Sequence, residues 1–365
     1  MKKIYLDDML LTKAYPTSAG SKMLDGYMSL FDTAVLEKLV NGGCEIAGKL
    51  PVGEFAIDLV GETNYNGQVK REKLGEGEAA VCFDVNGSPR RIAAQGEMVF
   101  VKPTYGTVSR FGAVAIACSG ECVGVMAGSA KECGDVLSLI VGKDERDGTM
   151  HSDEVCRSAL AENSVKRVAV LDMDASDEIK AKLDAVKADL ADMGIEAVML
   201  DAGAIAVSNS AWNILMCAEL CNNVSRFDGI KYGYRSPNYK NLDELYTNSR
   251  TEAFGDLAKT AILYGSDVLS SPNYLSKYDK SMRVRRVICE AFAEIFKEYD
   301  AVLLPACSKM SYTAEDDPFV ENKYTAPASI SGLPAVAFDG VQLMGKAFSD
   351  GTLLKLASEI RKEGK

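Results

Sequence analysis

Stretches with helical periodicity alternate along this chain with short apolar runs that end at glycine or proline. Residues 32–40 have the spacing of an amphipathic helix, with Asp32 as the N-cap and Gly42 as the stop signal. Residues 44–48 follow at once as a short strand. The alternation predicts an α/β protein built on a largely buried sheet.

The second half shows the same alternation. Residues 167–171 have the pattern of a buried strand, residues 176–193 that of a long helix, and residues 196–200 that of the next strand. This succession predicts a right-handed crossover unit. The same patterns predict helices over 130–140, 283–299 and 353–362, a strand over 301–305, and a hairpin whose strands, 335–338 and 341–344, flank Asp339–Gly340.

The length allows more than one domain organisation. A chain of 365 residues can bury one large core or two smaller ones. Its hydrophobic share of 47% and charged share of 25% are ordinary for globular proteins and exclude a disordered or collagenous chain. The polar stretch over residues 142–164 fits either a linker or a surface loop with a short helix.

The charge balance argues against direct binding of nucleic acid. The chain has 41 basic and 52 acidic residues, which gives a net charge of −11 and a surface that tends to repel phosphate backbones.

Near the N-terminus, Asp7 and Asp8 interrupt any signal-peptide core, and no later apolar run looks long enough to cross a bilayer. We therefore expect a cytoplasmic protein that does not bind membranes.

Cysteine and histidine usage predicts neither a disulfide framework nor a metal site. The ten cysteines are spread through apolar segments of a long chain, so reduced, buried thiols are expected. Cys118 and Cys122 would share a face if they lay on a helix, and so would Cys217 and Cys221, but no third or fourth ligand follows at metal-site spacing. The single histidine, His151, lies in a polar stretch and is expected to be solvated.

Two neighbouring blocks carry most of the information about family. Residues 83–91 read Phe-Asp-Val-Asn-Gly-Ser-Pro-Arg-Arg, and residues 101–112 read Val-Lys-Pro-Thr-Tyr-Gly-Thr-Val-Ser-Arg-Phe-Gly. In these blocks the sequence resembles the amidase signature family, and within it most closely the amidase component of glutamyl-tRNA(Gln) amidotransferase. Further blocks match in the family's order at residues 21–24, 53–56, 226–235, 250–255, 331–334 and 342–346.

The resemblance implies a fold and a set of site positions. It implies one amidase-like domain over residues 1–365, with a central mixed β-sheet covered by helices on both faces, no cofactor, and protein partner subunits of an amidotransferase-like complex. Family members use a serine nucleophile, whose position falls on Ser88, and we expect the segment around Ser88 near the middle of the sheet. Backbone amides before that serine form the oxyanion hole, and these positions fall on Val85, Asn86 and Gly87.

Other positions that the family uses have changed. The position of the family's catalytic lysine falls on Asp7. The Gly/Ser-rich loop that carries the relay serine is shortened near residues 74–88, and residues 74–81 contain no serine. The N-terminus is also shorter than in the resembled amidotransferase component. The arginine pair associated with glutamine falls on Thr260 and Ala261, and a recognition aspartate falls near Asn322.

These changes favour a catalytically degenerate protein, a pseudoenzyme that lacks glutaminase activity and is retained as a binding or assembly subunit. An aspartate, with an ordinary pKa of about 3.9, is poorly matched to general-base work near neutral pH. The alternative is an active amidase or amidotransferase subunit with a rebuilt site, in which Ser88 attacks and Tyr5, Asp7, Asp8 or a distant lysine is the base. A protein that binds a metal or small molecule through its cysteines is a third hypothesis.

Overall fold

A computed structural model describes residues 2–61, 63–69, 71, 73–313 and 315–362. The strands in this part of the chain are β1 Lys3–Asp7, β2 Glu45–Leu50, β3 Thr63–Asn64, β4 Gly67–Gln68, β5 Glu78–Asp84, β6 Val99–Lys102, β7 Cys122–Ala127, β8 Arg167–Asp172, β9 Glu196–Asp201, β10 Ala301–Pro305, β11 Ala335–Phe338 and β12 Val341–Gly345. The α-helices are α1 Ala34–Asn41, α2 Ser88–Gln95, α3 Ala130–Ile140, α4 Asp153–Ser158, α5 Asp177–Asp192, α6 Ser208–Val224, α7 Leu242–Ala253, α8 Asp256–Leu269, α9 Lys280–Glu298, α10 Pro318–Glu321, α11 Ala326–Ser331 and α12 Asp350–Ile360.

Ten strands form one mixed sheet in the order β2-β1-β5-β7-β6-β11-β12-β10-β8-β9. Strand β1 runs parallel to both β2 and β5, whereas β7 pairs antiparallel with β5 and β6. At the other end, β8 lies parallel between β9 and β10. The strand that leads to Ser88, β5, was expected near the middle of the sheet. It is the third strand from one edge, because five of the other strands extend the sheet beyond β7 and β6 on the opposite side.

Helices cover both faces of this sheet, which confirms the predicted fold class. Alternate residues of β5 belong to different apolar clusters, as expected when both faces are buried. Val81 and Phe83 pack in the large core that includes Val136 of α3. Ala80 and Cys82 pack in a smaller cluster with Ile92 of α2. The turn after β5 therefore lies between two packed layers.

Most of the predicted elements are present with small shifts of their ends. The predicted helix over 130–140 is α3, Ala130–Ile140, where the Ser129 side chain accepts a hydrogen bond from the Glu132 amide. The predicted crossover is formed by β8, α5 and β9. The predicted hairpin joins β11 to β12, and positive φ angles of 42° at Asp339 and 84° at Gly340 suit its two-residue turn.

One local prediction, the N-cap of α1, was wrong. Asp32 is not the N-cap of α1, because Thr33 precedes the helix and the Asp32 carboxylate accepts a hydrogen bond from the Lys13 amide instead. Cys118 and Cys122 do not share a helix, since Cys122 begins strand β7. By contrast, Cys217 and Cys221 both lie on α6. All ten cysteines lie within the described residues, and none of them forms a disulfide.

The polar stretch over residues 142–164 is a surface loop that contains the short helix α4, and the strands on either side of it belong to the same sheet. His151 is exposed there and its ring packs edge-on against Phe348. One described segment, Gly203–Val224, is long and apolar enough to cross a membrane, contrary to our expectation from the sequence. Half of its most apolar 18-residue stretch is buried inside the fold, where Trp212 is fully enclosed, so it packs as a core helix.

Candidate functional site

The two positions with implied catalytic roles follow neighbouring strands. Asp7 is the last residue of β1, and Ser88 follows the end of β5, which is parallel to β1. Because the carboxyl ends of parallel strands meet at one edge of a sheet, these positions are on the same side of the fold. The Asp7 carboxylate also accepts a hydrogen bond of 2.9 Å from the backbone amide of Phe83 on β5.

Asp7 is fully buried and carries an ion pair. Its second carboxylate oxygen lies 3.0 Å from a guanidinium nitrogen of Arg71, whose side chain is only 6% exposed. Arg71 Nε donates to the carbonyl oxygen of Pro51 at 3.2 Å, which fixes the guanidinium in place. The position implied for a lysine base thus holds an acid that is neutralised by an arginine. No sequence pattern indicates this pairing, because Arg71 lies in a polar stretch without periodicity.

Ser88 is the first residue of α2 and is 5% exposed. The preceding residue, Gly87, has a φ of 92°, and a Cβ atom there would lie 2.2 Å from the Cβ of Thr325. Only glycine fits this position without movement of its neighbour. The tight strand–turn–helix connection places the serine at the positive end of the α2 dipole.

A buried ion pair supports the same turn. Arg90 Nε donates to the Asp84 carboxylate at 2.7 Å, and neither side chain is exposed. The remaining guanidinium nitrogens bond to the Thr325 carbonyl oxygen at 2.6 Å and to the Ser329 hydroxyl at 2.7 Å. Arg90 thereby ties the turn to helix α11. Neither residue was predicted as part of the site, although both lie in the block that carries the family resemblance.

The predicted oxyanion-hole positions are buried. Val85 and Asn86 are at most 1% exposed. The Gly87 amide donates to the Asp84 carboxylate at 2.9 Å, so this donor is already used inside the turn. The Asn86 carbonyl oxygen accepts a hydrogen bond of 2.8 Å from the Thr325 hydroxyl. The oxyanion-hole role of these positions remains a prediction.

Three neutral amides form a chain behind the turn. Asn322 Nδ2 donates to the side-chain oxygens of Asn86 at 2.8 Å and Asn213 at 2.7 Å. Backbone carbonyl oxygens anchor both ends, with Asn86 donating to Ile57 and Asn213 donating to Phe319. Asn322 is fully buried. The position implied for a recognition aspartate is therefore occupied by a neutral group that bonds to an asparagine of the site's own turn.

The other predicted positions add no charge for recognition. Thr260 is exposed on α8 and donates from its hydroxyl to the Asp256 carbonyl oxygen, while Ala261 is buried.

The residues named as alternative bases have partners of their own. Tyr5 donates to Glu78 at 3.4 Å, and Asp8 pairs with Lys49 at 2.9 Å.

Comparison with known proteins finds amidases among the relatives of this chain. The amidase family model matches residues 75–354. The chain is 33% identical to the A component of the glutamyl-tRNA(Gln) amidotransferase of Francisella tularensis, over 97% of this chain and 82% of that protein. The crystal structure of the same component from Thermotoga maritima is 25% identical, covers 99% of this chain and 83% of its own, and superposes with a TM-score of 0.80.

A more distant structure has the same fold. The allophanate hydrolase of Kluyveromyces lactis superposes with a TM-score of 0.81 at 20% identity, and the match covers 98% of this chain and 61% of that one.

Among the described residues, no group of histidine, cysteine, aspartate or glutamate side chains could hold a metal ion.

Proposed function

Because this chain belongs to the amidase family, we propose that it is an amidase-fold protein without glutaminase activity that is retained as a binding or assembly subunit. The observation that carries the proposal is the buried pair between Asp7 and Arg71, 3.0 Å apart. A general base must accept a proton near neutral pH, and a carboxylate held by a guanidinium strongly favours its ionised form.

Loss of substrate recognition supports the same conclusion. An amino-acid substrate presents a carboxylate and an ammonium group, which call for a bidentate arginine and an acid. The positions implied for these roles carry Thr260, Ala261 and Asn322, none of which is charged. The Asn322 amide is also committed to Asn86 and Asn213.

The role as a subunit is supported by the relatives and by the surface. The similar proteins from Francisella and Thermotoga are named as subunits of an amidotransferase. In this chain, Leu263 on α8 is 72% exposed, and Leu275, the first residue of the π-helical segment Leu275–Asp279 before α9, is 70% exposed. Contiguous exposed apolar patches mark interaction surfaces, and we propose these two leucines as the place where a partner binds.

Ammonia release tests the absence of catalysis. Purified protein is incubated with glutamine, asparagine and a panel of simple amides, beside Ser88→Ala and a control, Ser138→Ala, on the exposed side of α3. We expect all three proteins to match the buffer rate. Release that Ser88→Ala abolishes and Ser138→Ala retains would contradict the proposal.

Native mass spectrometry tests the role as a subunit. A tagged full-length chain isolated from its own cells should carry a partner in fixed stoichiometry. The double variant Leu263→Asp with Leu275→Asp should lose that partner, while Leu30→Asp, at a leucine 91% exposed elsewhere, should retain it. A chain that is monomeric in every preparation would overturn this part.

A second candidate function is an amidase with a rebuilt site. It is favoured by the retained Ser88 at the start of α2 and by the Asp84–Arg90 pair that supports its turn. The same ammonia assay decides between the two, because only the second candidate requires activity that depends on Ser88.

A further inference from the structure

A narrow apolar groove of about 180 Å³ lies along the C-terminal half of helix α9. Phe292 and Phe296 of this helix line it, and their rings stack with centroids 6.1 Å apart. Leu333, in the connection between α11 and β11, adds a further apolar side chain. Among the described residues that line the groove, Lys346 is the only charged one. The groove therefore combines apolar walls with a single cation.

The lysine has no acidic partner in the part of the chain that the structure describes. Lys346 directly follows β12 and is exposed. By contrast, Arg286 on α9 pairs with Glu290 at 2.8 Å. A lysine beside an apolar surface keeps its stem on that surface while its charged end stays in water. Its ammonium group is thus available to a carboxylate at the mouth of the groove.

The serine and the cysteine of the wall supply no charge. The Ser331 hydroxyl donates to the Pro327 carbonyl oxygen at 2.6 Å and accepts a hydrogen bond from the Leu333 amide at 3.4 Å. The Cys289 thiol is half-buried, and burial raises its pKa, so it stays neutral near pH 7. Lys346 is consequently the one group of the described wall that offers a charge-assisted hydrogen bond.

The volume of the groove sets the size of its ligand. An apolar cavity of about 150 Å³ is large enough to hold benzene. A ligand ring in the groove meets aromatic side chains, and aromatic rings pair favourably in offset-stacked or edge-to-face arrangements. Phe292 is only 1% exposed, so it forms a fixed floor for such a ring. One aromatic ring fits these dimensions, whereas a long chain or a fused ring system does not.

We propose that this groove binds a small aromatic carboxylate, with the ring against Phe292 and Phe296 and the carboxylate on Lys346. Two of the blocks that resemble the amidase family, residues 331–334 and 342–346, supply groove residues that the proposed function leaves without a role. None of the positions with implied catalytic roles is among the described lining residues. The inference therefore goes beyond the proposed function and holds whether or not the chain hydrolyses amides.

Calorimetric titration of the full chain with phenylacetate, at constant ionic strength, tests the site. We expect saturable binding of one phenylacetate per chain, which should also raise the unfolding temperature. Phenethyl alcohol keeps the ring without the charge and should bind about two- to fivefold more weakly, whereas acetate lacks the ring and should not saturate.

The absence of saturable phenylacetate binding would overturn the proposal. Equal affinities for phenylacetate and acetate would overturn it as well, because the ring would then contribute nothing. Equal affinities for phenylacetate and phenethyl alcohol would overturn the role of Lys346.

Cys289 reports where the ligand binds, because its thiol is part of the groove wall. Saturating phenylacetate should slow the alkylation of Cys289 by N-ethylmaleimide, since the bound ring covers the thiol. Cys44, a half-buried cysteine just before β2 whose pKa is also raised by burial, lies outside the groove and should react at an unchanged rate. Mass spectrometry of the peptides measures both rates. An unaltered rate at Cys289 would overturn the placement.

Two exposed positions on α9 locate the site by mutation, and neither replacement should disturb the core. Ala293→Trp fills the groove and should weaken phenylacetate binding at least about tenfold. Val287→Trp, the matched control, adds the same side chain outside the groove and should leave binding unchanged. Lys346→Gln should weaken the binding of phenylacetate about two- to fivefold but not that of phenethyl alcohol. Equal dissociation constants for phenylacetate in all variants would overturn the site.

Discussion

Arg90 Nε lies 2.7 Å from the Asp84 carboxylate with neither side chain exposed, and the same carboxylate accepts the Gly87 amide at 2.9 Å. One aspartate thus joins the end of β5, the left-handed glycine and the first turn of α2. Because the arginine also bonds to Thr325 and Ser329, the pair fixes the Ser88 turn against α11. This support holds whether or not Ser88 is catalytic.

Removing the arginine should therefore be costly. We expect Arg90→Gln to lower the free energy of unfolding by about 3–5 kcal/mol, because it leaves the Asp84 charge buried without its partner. Arg286→Gln, which breaks an exposed pair with Glu290, should leave the unfolding midpoint almost unchanged. Urea unfolding of both variants measures the difference. Similar midpoints for the two would show that the buried pair contributes little.

Replacing Gly87 by alanine should destabilise the fold much more than replacing Gly26, another glycine with a positive φ. Gly87→Ala combines an unfavourable φ of 92° with a clash against Thr325, so we expect a loss of about 2–5 kcal/mol. Gly26 has a φ of 72° but open space around the added Cβ, so Gly26→Ala should cost only about 1 kcal/mol. Thermal unfolding compares them, and an equal loss of stability would contradict the contact with Thr325.

Local patterns predicted the elements well, and tertiary pairings account for what they missed. The helix Ala130–Ile140 was predictable because its cap, apolar spacing and end all lie in consecutive residues. The pair between Asp7 and Arg71 joins a strand end to a polar stretch with no periodic signal, so only the folded chain reveals it. The same holds for Asn322, whose partners Asn86 and Asn213 lie on distant segments.

A buried carboxylate predicts a distinct pH dependence. Burial raises the pKa of Asp350 to about 6, although the Thr104 amide and hydroxyl bond to it at 2.7 and 2.6 Å. Its ordinary pKa is about 3.9, so the folded state holds this proton more tightly than the unfolded state does. The contribution of Asp350 to stability is therefore full only below about pH 4 and is lost as pH rises through about 6, by about 3 kcal/mol in total.

Asp350→Asn removes this titration while keeping an acceptor for the Thr104 amide. Relative to the unaltered protein, the variant should gain about 2 kcal/mol in unfolding free energy between pH 4 and pH 7. Urea unfolding at several pH values gives the two curves. Parallel curves would show that the folded state does not bind the proton more tightly.

The remaining prediction concerns repair of the position implied for the lysine base. Asp7→Lys restores the residue type that the family uses there, but it places an ammonium group against the buried guanidinium of Arg71. We expect no gain in ammonia release from glutamine and a loss of about 3–5 kcal/mol in unfolding free energy, because two like charges are then buried together.

Reversing the pair separates the structural cost from the chemistry. Asp7→Lys combined with Arg71→Glu restores opposite charges, so it should recover much of the stability lost in Asp7→Lys alone. It should still release no ammonia, because residues 74–81 contain no serine to relay a proton and Thr260 and Ala261 offer no charge to hold a substrate carboxylate. Ammonia release that rises by several powers of ten in either variant, and disappears when Ser88→Ala is added, would show that the lysine was the one missing part.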